Sequence, residues 1–365
     1  MTKAEQTATK ANASEDGIVG IDYMRGFGAL FVLLYHLIGR VNKIYPISPE
    51  VLHYSILGTF GVDIFFVVSG FCIAFPFFGS NRPLNVPEYY MRRFFRIYIP
   101  HITVLLGLFL LFRAGFSFGG LNLSRTDWIS NFCLLNAFTK SPHINAVTWT
   151  LCYEIMFYIY FPILFLVFKK YSKRAFNIFC IAFLATGAVC SACGIRSMLT
   201  DGYYITWILG IVLIDLYKRK NRIIGNPVAL VLGITGIVAF NILATQPVVF
   251  YGPLLKGISA SLIVAFAIGI GKRIMVLRFL GIISFSIYLI HNVSFVLLER
   301  IYQTLAHNSV FAALPVGLNI AFYSGYLLVG GLLFGTIFFF AVERPSLLLI
   351  KVLSRRIRAK WNYAL

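Results

Sequence analysis

The stretch MRGFGALFVLLYH, residues 24–36, decides the fold class. Arg25 stands at one end, His36 at the other, and almost everything between them is apolar. With its flanks the run extends over 18–39, and a helix of about 20 apolar residues crosses a bilayer. An ionisable group in hydrocarbon costs at least a few kcal/mol, so a passive anchor would carry neither residue. Working outward, nine further apolar runs follow at 56–78, 97–115, 147–168, 175–195, 203–217, 226–244, 253–271, 279–298 and 318–342.

The composition agrees with this pattern. The 365 residues are 59% hydrophobic and 12% charged, with a mean hydropathy of +0.82; a soluble domain carries about twice that charge. The expected fold class is all-α: a polytopic membrane helix bundle of about ten transmembrane helices. The net charge of +19 does not indicate nucleic acid, because the basic residues cluster between apolar runs, as loop charges of a membrane protein do. The lipid bilayer is therefore the expected partner, and no nucleic acid. With the N-terminus in the cytoplasm, the cytoplasmic segments hold 24 of the 32 Lys and Arg and the opposite side holds 8. That bias alternates loop by loop, as in KKYSKR and KRKNR, and places both termini in the cytoplasm.

Residues 1–17 read as a disordered cytoplasmic tail without a signal-peptide pattern. Residues 18–345 form the membrane domain, and 346–365 a basic cytoplasmic tail. The longest gap, 116–146, has room for a surface helix around Trp128. The six cysteines make no zinc-type array, and no metal is expected. The phosphate-cradling, dinucleotide-binding, zinc-protease and serine-elbow motifs are absent from the sequence, so ATP hydrolysis is not supported.

Chemistry must then reside in the polar residues of the apolar runs. Arg25 and His36 lie eleven positions apart, hence on one helix face, with His36 roughly 16 Å deeper; Asp22 shares that face. Two readings stand: an arginine snorkelling to the headgroups with a histidine bonded to a neighbouring helix, or a catalytic imidazole, the usual general base near neutral pH. The second run buries Asp63, and its Ser69 and Gly70 admit the close approach of a helix or a ligand. In YYMRRFFRIYIPH, residues 89–101, Arg92, Arg93 and Arg96 alternate with aromatic residues. That pattern is either an interfacial belt or a phosphate clamp with aromatic rings for an adenine. Glu154 lies about two turns into the fourth run and needs an arginine or histidine partner. Ser284, Tyr288, His291 and Ser294 share one face of the ninth run as a polar seam. Glu343 and Arg344 are expected to form an ion pair where Pro345 ends the last helix.

Taken in order, these motifs resemble a known family. IDYMRGFGALFVLLYHL, with ten residues between Arg25 and His36, is similar to the first-helix signature of the acyltransferase 3 family of integral membrane proteins. GVDIFFVVSGFCIA resembles its second-helix motif, RRFFRIYIP its basic segment, and TWTLCYEIMFYIYFPI its Trp-Ser-Leu-x-x-Glu motif, with Trp149 and Glu154 in place. ISFSIYLIHN and VERP resemble its two closing motifs. Thr150 stands where serine is usual, and Tyr153 and Ile155 flank Glu154 where a second acidic residue is common. No hydrolase domain of the SGNH type follows the last run, so the stand-alone form is expected.

The resemblance implies O-acylation, usually O-acetylation, of a carbohydrate acceptor: a cell-surface or exported polysaccharide or a lipid-linked sugar. Acetyl-CoA is the implied co-substrate, with no bound cofactor, in a bacterial inner membrane. It implies His36 and Glu154 as catalytic residues and Arg25, Arg92, Arg93 and Arg96 as the acyl-CoA site. Asp22, Asp63, Ser69, Gly70, Trp149, His291, Glu343 and Arg344 are the supporting residues. Two alternatives remain open. One is a proton-coupled exporter of polysaccharide or small molecules, with His36 and Glu154 as relay. The other is an acyltransferase using succinyl or another acyl group on a non-polysaccharide acceptor.

Overall fold

The computed structural model describes residues 18–79, 83–116, 123–171, 202–243, 251–306 and 315–362, and isolated positions between 182 and 193. Among them every regular element is helical. The long helices are α1 (Val19–Ile44), α2 (Phe60–Ala74), α3 (Val86–Arg113), α4 (Trp149–Tyr171), α5 (Tyr203–Lys218), α6 (Pro227–Leu243), α7 (Tyr251–Ile268), α8 (Met275–Ala306), α9 (Val316–Phe338) and α10 (Arg344–Asn362). A short helix, Arg125–Phe132, carries Trp128 and is closed at its start by reciprocal hydrogen bonds between Ser124 and Asp127.

Among the described residues, six stretches are long and apolar enough to cross a membrane: Val19–Ile44, Pro49–Phe78, Val86–Arg113, Ala146–Val167, Met275–Thr304 and Val316–Ala359. The chain is a helical, multi-pass membrane protein. α5, α6 and α7 are shorter, at 16, 17 and 18 residues. The expected run at 175–195 and the tail at 1–17 lie outside the described residues.

Two boundaries differ most from the sequence expectation. α3 starts at Val86, eleven residues before the apolar run at 97, so the arginine segment is helical rather than a loop. The cause is local: the Asn85 side chain accepts the Glu88 N–H at 3.0 Å, and a proline occupies the first turn. At the other end, Pro345 does not terminate a helix. A wide π turn, Phe339–Glu343, precedes it, and α10 continues to Asn362. The π turn shifts the backbone pairing out of its usual register and so accommodates a residue with no N–H. Much of the segment read as a basic tail is therefore helix.

The chain divides into two compact units, with α1 and α8 each contributing to both. The first comprises residues up to Leu30, Phe60–Asn81 and Leu184–Ser284. There α2 and α5 meet through reciprocal glycines. A methyl group at Gly70 would overlap the Trp207 carbonyl, and one at Gly210 would overlap the Val67 carbonyl. Glycine at both points lets the two backbones touch. Asp63 is buried and faces Lys256 Nζ at 3.8 Å.

The second unit comprises Phe31–Thr59, Arg82–Phe183 and Phe285–Leu365. Pro162 inside α4 withholds the N–H that would pair with the Tyr158 carbonyl. The Tyr89 hydroxyl of α3 donates to that carbonyl instead, at 3.1 Å. α10 runs antiparallel to α3. Ser346 Oγ donates to the Phe95 carbonyl at 2.8 Å, and further along Arg358 Nε lies 3.4 Å from Glu88.

Candidate active site

Within the second unit a file of polar side chains runs from His36 to Arg93. The half-buried His36 ring lies 5.1 Å, centroid to centroid, from the ring of fully buried His291. His291 Nδ1 is 3.0 Å from the Ile287 carbonyl. A carbonyl only accepts, so Nδ1 carries the proton and the lone pair is on Nε2, which is buried without a hydrogen-bond partner. One turn back on α8, the Tyr288 ring lies 6.1 Å from His291. Its hydroxyl donates to the Val147 carbonyl at 2.9 Å and is 2.7 Å from Thr150 Oγ1. Glu154 follows Thr150 by one turn, on the same face of α4. Its carboxylate accepts a short hydrogen bond from the Tyr158 hydroxyl. The Arg93 guanidinium of α3 lies over the Tyr158 ring at 5.3 Å and over Tyr89 at 5.6 Å, a cation–π arrangement.

This brings together His36, His291, Glu154 and Arg93 of the expected site, with Tyr288 of the polar seam and Thr150 between them. It does not set Glu154 beside His36. The rings against His36 are those of His291 and of its chain neighbour Tyr35, and Glu154 is bound by Tyr158. Of the other arginines expected at a donor site, Arg96 is half-buried and Arg92 is exposed, 3.3 Å from Glu88. Trp149 packs edge-on to Tyr153 at 5.7 Å.

Two positions of the last motif fall in this unit as well. Glu343, in the π turn, accepts a hydrogen bond from Ser286 Oγ. The Arg344 guanidinium lies 5.6 Å over the Phe340 ring. The remaining candidates belong to the first unit. Asp22 is 3.8 Å from Arg278 Nε and also within the field of half-buried Arg25. Asp63 pairs with Lys256, Gly70 is the packing notch already described, and Ser69 is half-buried.

Sequence reasoning missed the residues one turn beyond His36. Arg40 directs one nitrogen to Glu299 Oε2 at 3.0 Å and another to Asn292 Oδ1 at 3.1 Å. Next to it, the Tyr45 and Tyr302 hydroxyls are 2.7 Å apart. In the charge count Arg40 is one of the eight basic residues opposite the cytoplasm, just past the first apolar run. The spacing of Arg40 from His36, one helical turn on the same face, was the available signal. Outside the membrane-spanning segments, burial lowers the pKa of His143, and its Nδ1 is 3.2 Å from Thr148 Oγ1.

Residues 18–343 match the model of an acyltransferase domain. The chain is 26% identical over 180 residues to acyltransferase MdmB of Streptomyces mycarofaciens, covering 46% of this chain and 44% of that protein. It is 28% identical over 174 residues to peptidoglycan O-acetyltransferase OatA of Listeria monocytogenes, covering 43% of this chain and 25% of that protein. The matched region thus spans less than half the length of either relative. No solved structure matches. With nearly the whole chain under one family model, and the motifs in order along it, the protein belongs to the acyltransferase 3 family.

Proposed function

We propose that the protein is a membrane O-acyltransferase of the bacterial inner membrane, with its termini in the cytoplasm. It moves an acetyl group from acetyl-CoA to a hydroxyl of a cell-surface or exported polysaccharide or a lipid-linked sugar. The observation that carries this reading is the file of polar side chains from Arg93 to His36. Passive helix packing has no need of so many polar groups in one line, since each costs free energy to bury.

In this reading Arg92, Arg93 and Arg96 hold the phosphates of the donor at the cytoplasmic end of α3. Arg25 helps to bring the donor to the membrane. The thin pantetheine arm extends along the file, so that the thioester reaches His36. His36 takes the proton of the acceptor hydroxyl while the oxygen attacks the thioester carbonyl. The C–S bond then breaks, and the CoA thiolate leaves and collects the proton from the imidazolium. His291 holds the His36 ring by packing against it. The pair Glu154–Tyr158 joins the donor end of the file to the reacting end.

The test uses a strain lacking the gene and carrying either the wild type or His36→Ala at matched membrane levels. Ester-linked acetate is measured on its envelope glycans. The expected result is acetate restored by the wild type alone. Full acetate with His36→Ala overturns the catalytic scheme. No acetate with either, together with altered glycan export, favours the exporter.

A further inference from the structure

The arginine cluster of α3 does not end on α3. Glu88 is a nearly buried carboxylate with 12% of its side chain exposed. Its Oε1 lies 3.3 Å from Arg92 of the same helix and 3.4 Å from Arg358 of α10. The two arginine side chains are 53% and 54% exposed. One carboxylate therefore tethers two exposed cations, leaving a net positive charge there. Arg358 Nε is also 3.3 Å from the Ser354 carbonyl, so its inner edge is occupied and its two terminal nitrogens remain for a ligand. Ser354 Oγ is buried without a hydrogen-bond partner. On α10, Lys351, Arg355 and Arg358 follow the i, i+4, i+7 pattern and all are exposed.

We propose that α10 is part of the donor site: Arg358, held beside Arg92 by Glu88, binds a phosphate group of acyl-CoA. This rests on the acyl-CoA reading above. Two guanidinium forks fixed side by side suit the phosphates of a nucleotide better than mobile side chains do, because their geometry is set before binding. The occupant is the phosphorylated nucleotide end of the donor rather than a lipid headgroup. The tethered pair is continuous with the polar file: Glu88 and Arg92 lie on α3, the helix that also carries Arg93.

The test is equilibrium binding of radiolabelled CoA to the full-length protein in nanodiscs, with and without phosphatidylglycerol. Arg358→Ala is expected to weaken CoA binding about tenfold or more, the effect of losing one charge-assisted hydrogen bond. Arg358→Lys should fall between that variant and the wild type, because it keeps the charge but not the fork. Arg356→Ala, an exposed neighbour outside the stripe, should bind as the wild type does. Thermal unfolding of each variant separates lost binding from lost folding, and Arg358→Lys decides the matter if the alanine variant does not fold. Wild-type affinity in both Arg358 variants overturns the inference while leaving the donor reading intact. A weakening seen only with phosphatidylglycerol present assigns the site to lipid and also overturns it. No binding of CoA by the wild type overturns the donor reading itself.

Discussion

The Tyr89 hydroxyl and Pro162 act on the same backbone carbonyl, and that gives a quantitative prediction. In Tyr89→Phe the Tyr158 carbonyl loses the donor 3.1 Å away, and Pro162 offers no N–H to replace it. An unmatched buried carbonyl costs about 1–3 kcal/mol, and phenylalanine fills the same volume, so no cavity adds to that figure. Pro162→Ala restores the regular helical N–H four residues on. In that background the tyrosine hydroxyl is no longer required, and Tyr89→Phe should cost well under 1 kcal/mol. The coupling between the two changes is thus expected at about 1 kcal/mol or more. A double-mutant cycle measured by reversible unfolding in mixed micelles reads it directly. Strict additivity of the two substitutions would refute the account of how α4 tolerates its proline.

Three further predictions follow the same logic. Thr150→Ser should retain stability and activity, because a serine hydroxyl still reaches Tyr288, now 2.7 Å from Thr150 Oγ1; Thr150→Val should lose about 1–3 kcal/mol and most transfer activity, measured by unfolding and by CoA release. Gly70→Ala drives a methyl group into the Trp207 carbonyl and should cost about 1–3 kcal/mol by overpacking, seen as a lower unfolding midpoint; an unchanged midpoint would contradict the close approach of α2 and α5. Lys256→Met strands the buried Asp63 and should cost about 3–5 kcal/mol, whereas Asp63→Leu combined with Lys256→Met should come close to the wild type, a contrast the same unfolding assay resolves.

Helix positions were largely legible because a membrane span is a long apolar run, and composition alone reveals it. The start of α3 was not, because Arg92, Arg93 and Arg96 lower the local hydropathy below that of a span. The Asn85 cap and the proline after it were a sequence signal pointing to the earlier start. The continuation through Pro345 was illegible, since nothing in FFAVERP distinguishes a terminated helix from a π turn followed by more helix. In the candidate site, His36, Glu154 and Arg93 could be named from residue type and depth. Their links could not. Tyr288 meets Thr150 across 138 residues of chain, and Arg40 meets Glu299 across 259. Such pairings follow from tertiary packing, which one sequence read along its length does not display. The same limit hid Arg358, which a linear reading assigns to a tail and the packing of α10 brings to Glu88.

The Asp63–Lys256 pair also sets a timetable for biosynthesis. The two residues are separated by 193 positions, and ribosomes add roughly 5–20 residues per second. The carboxylate of α2 therefore waits roughly 10–40 s for its ammonium partner after it is made. During that interval the segment must lodge at the edge of the insertion machinery, keep a proton, or borrow a transient companion. A chain truncated before Lys256 never completes the pair, so premature termination there leaves the acid of α2 with no ammonium partner.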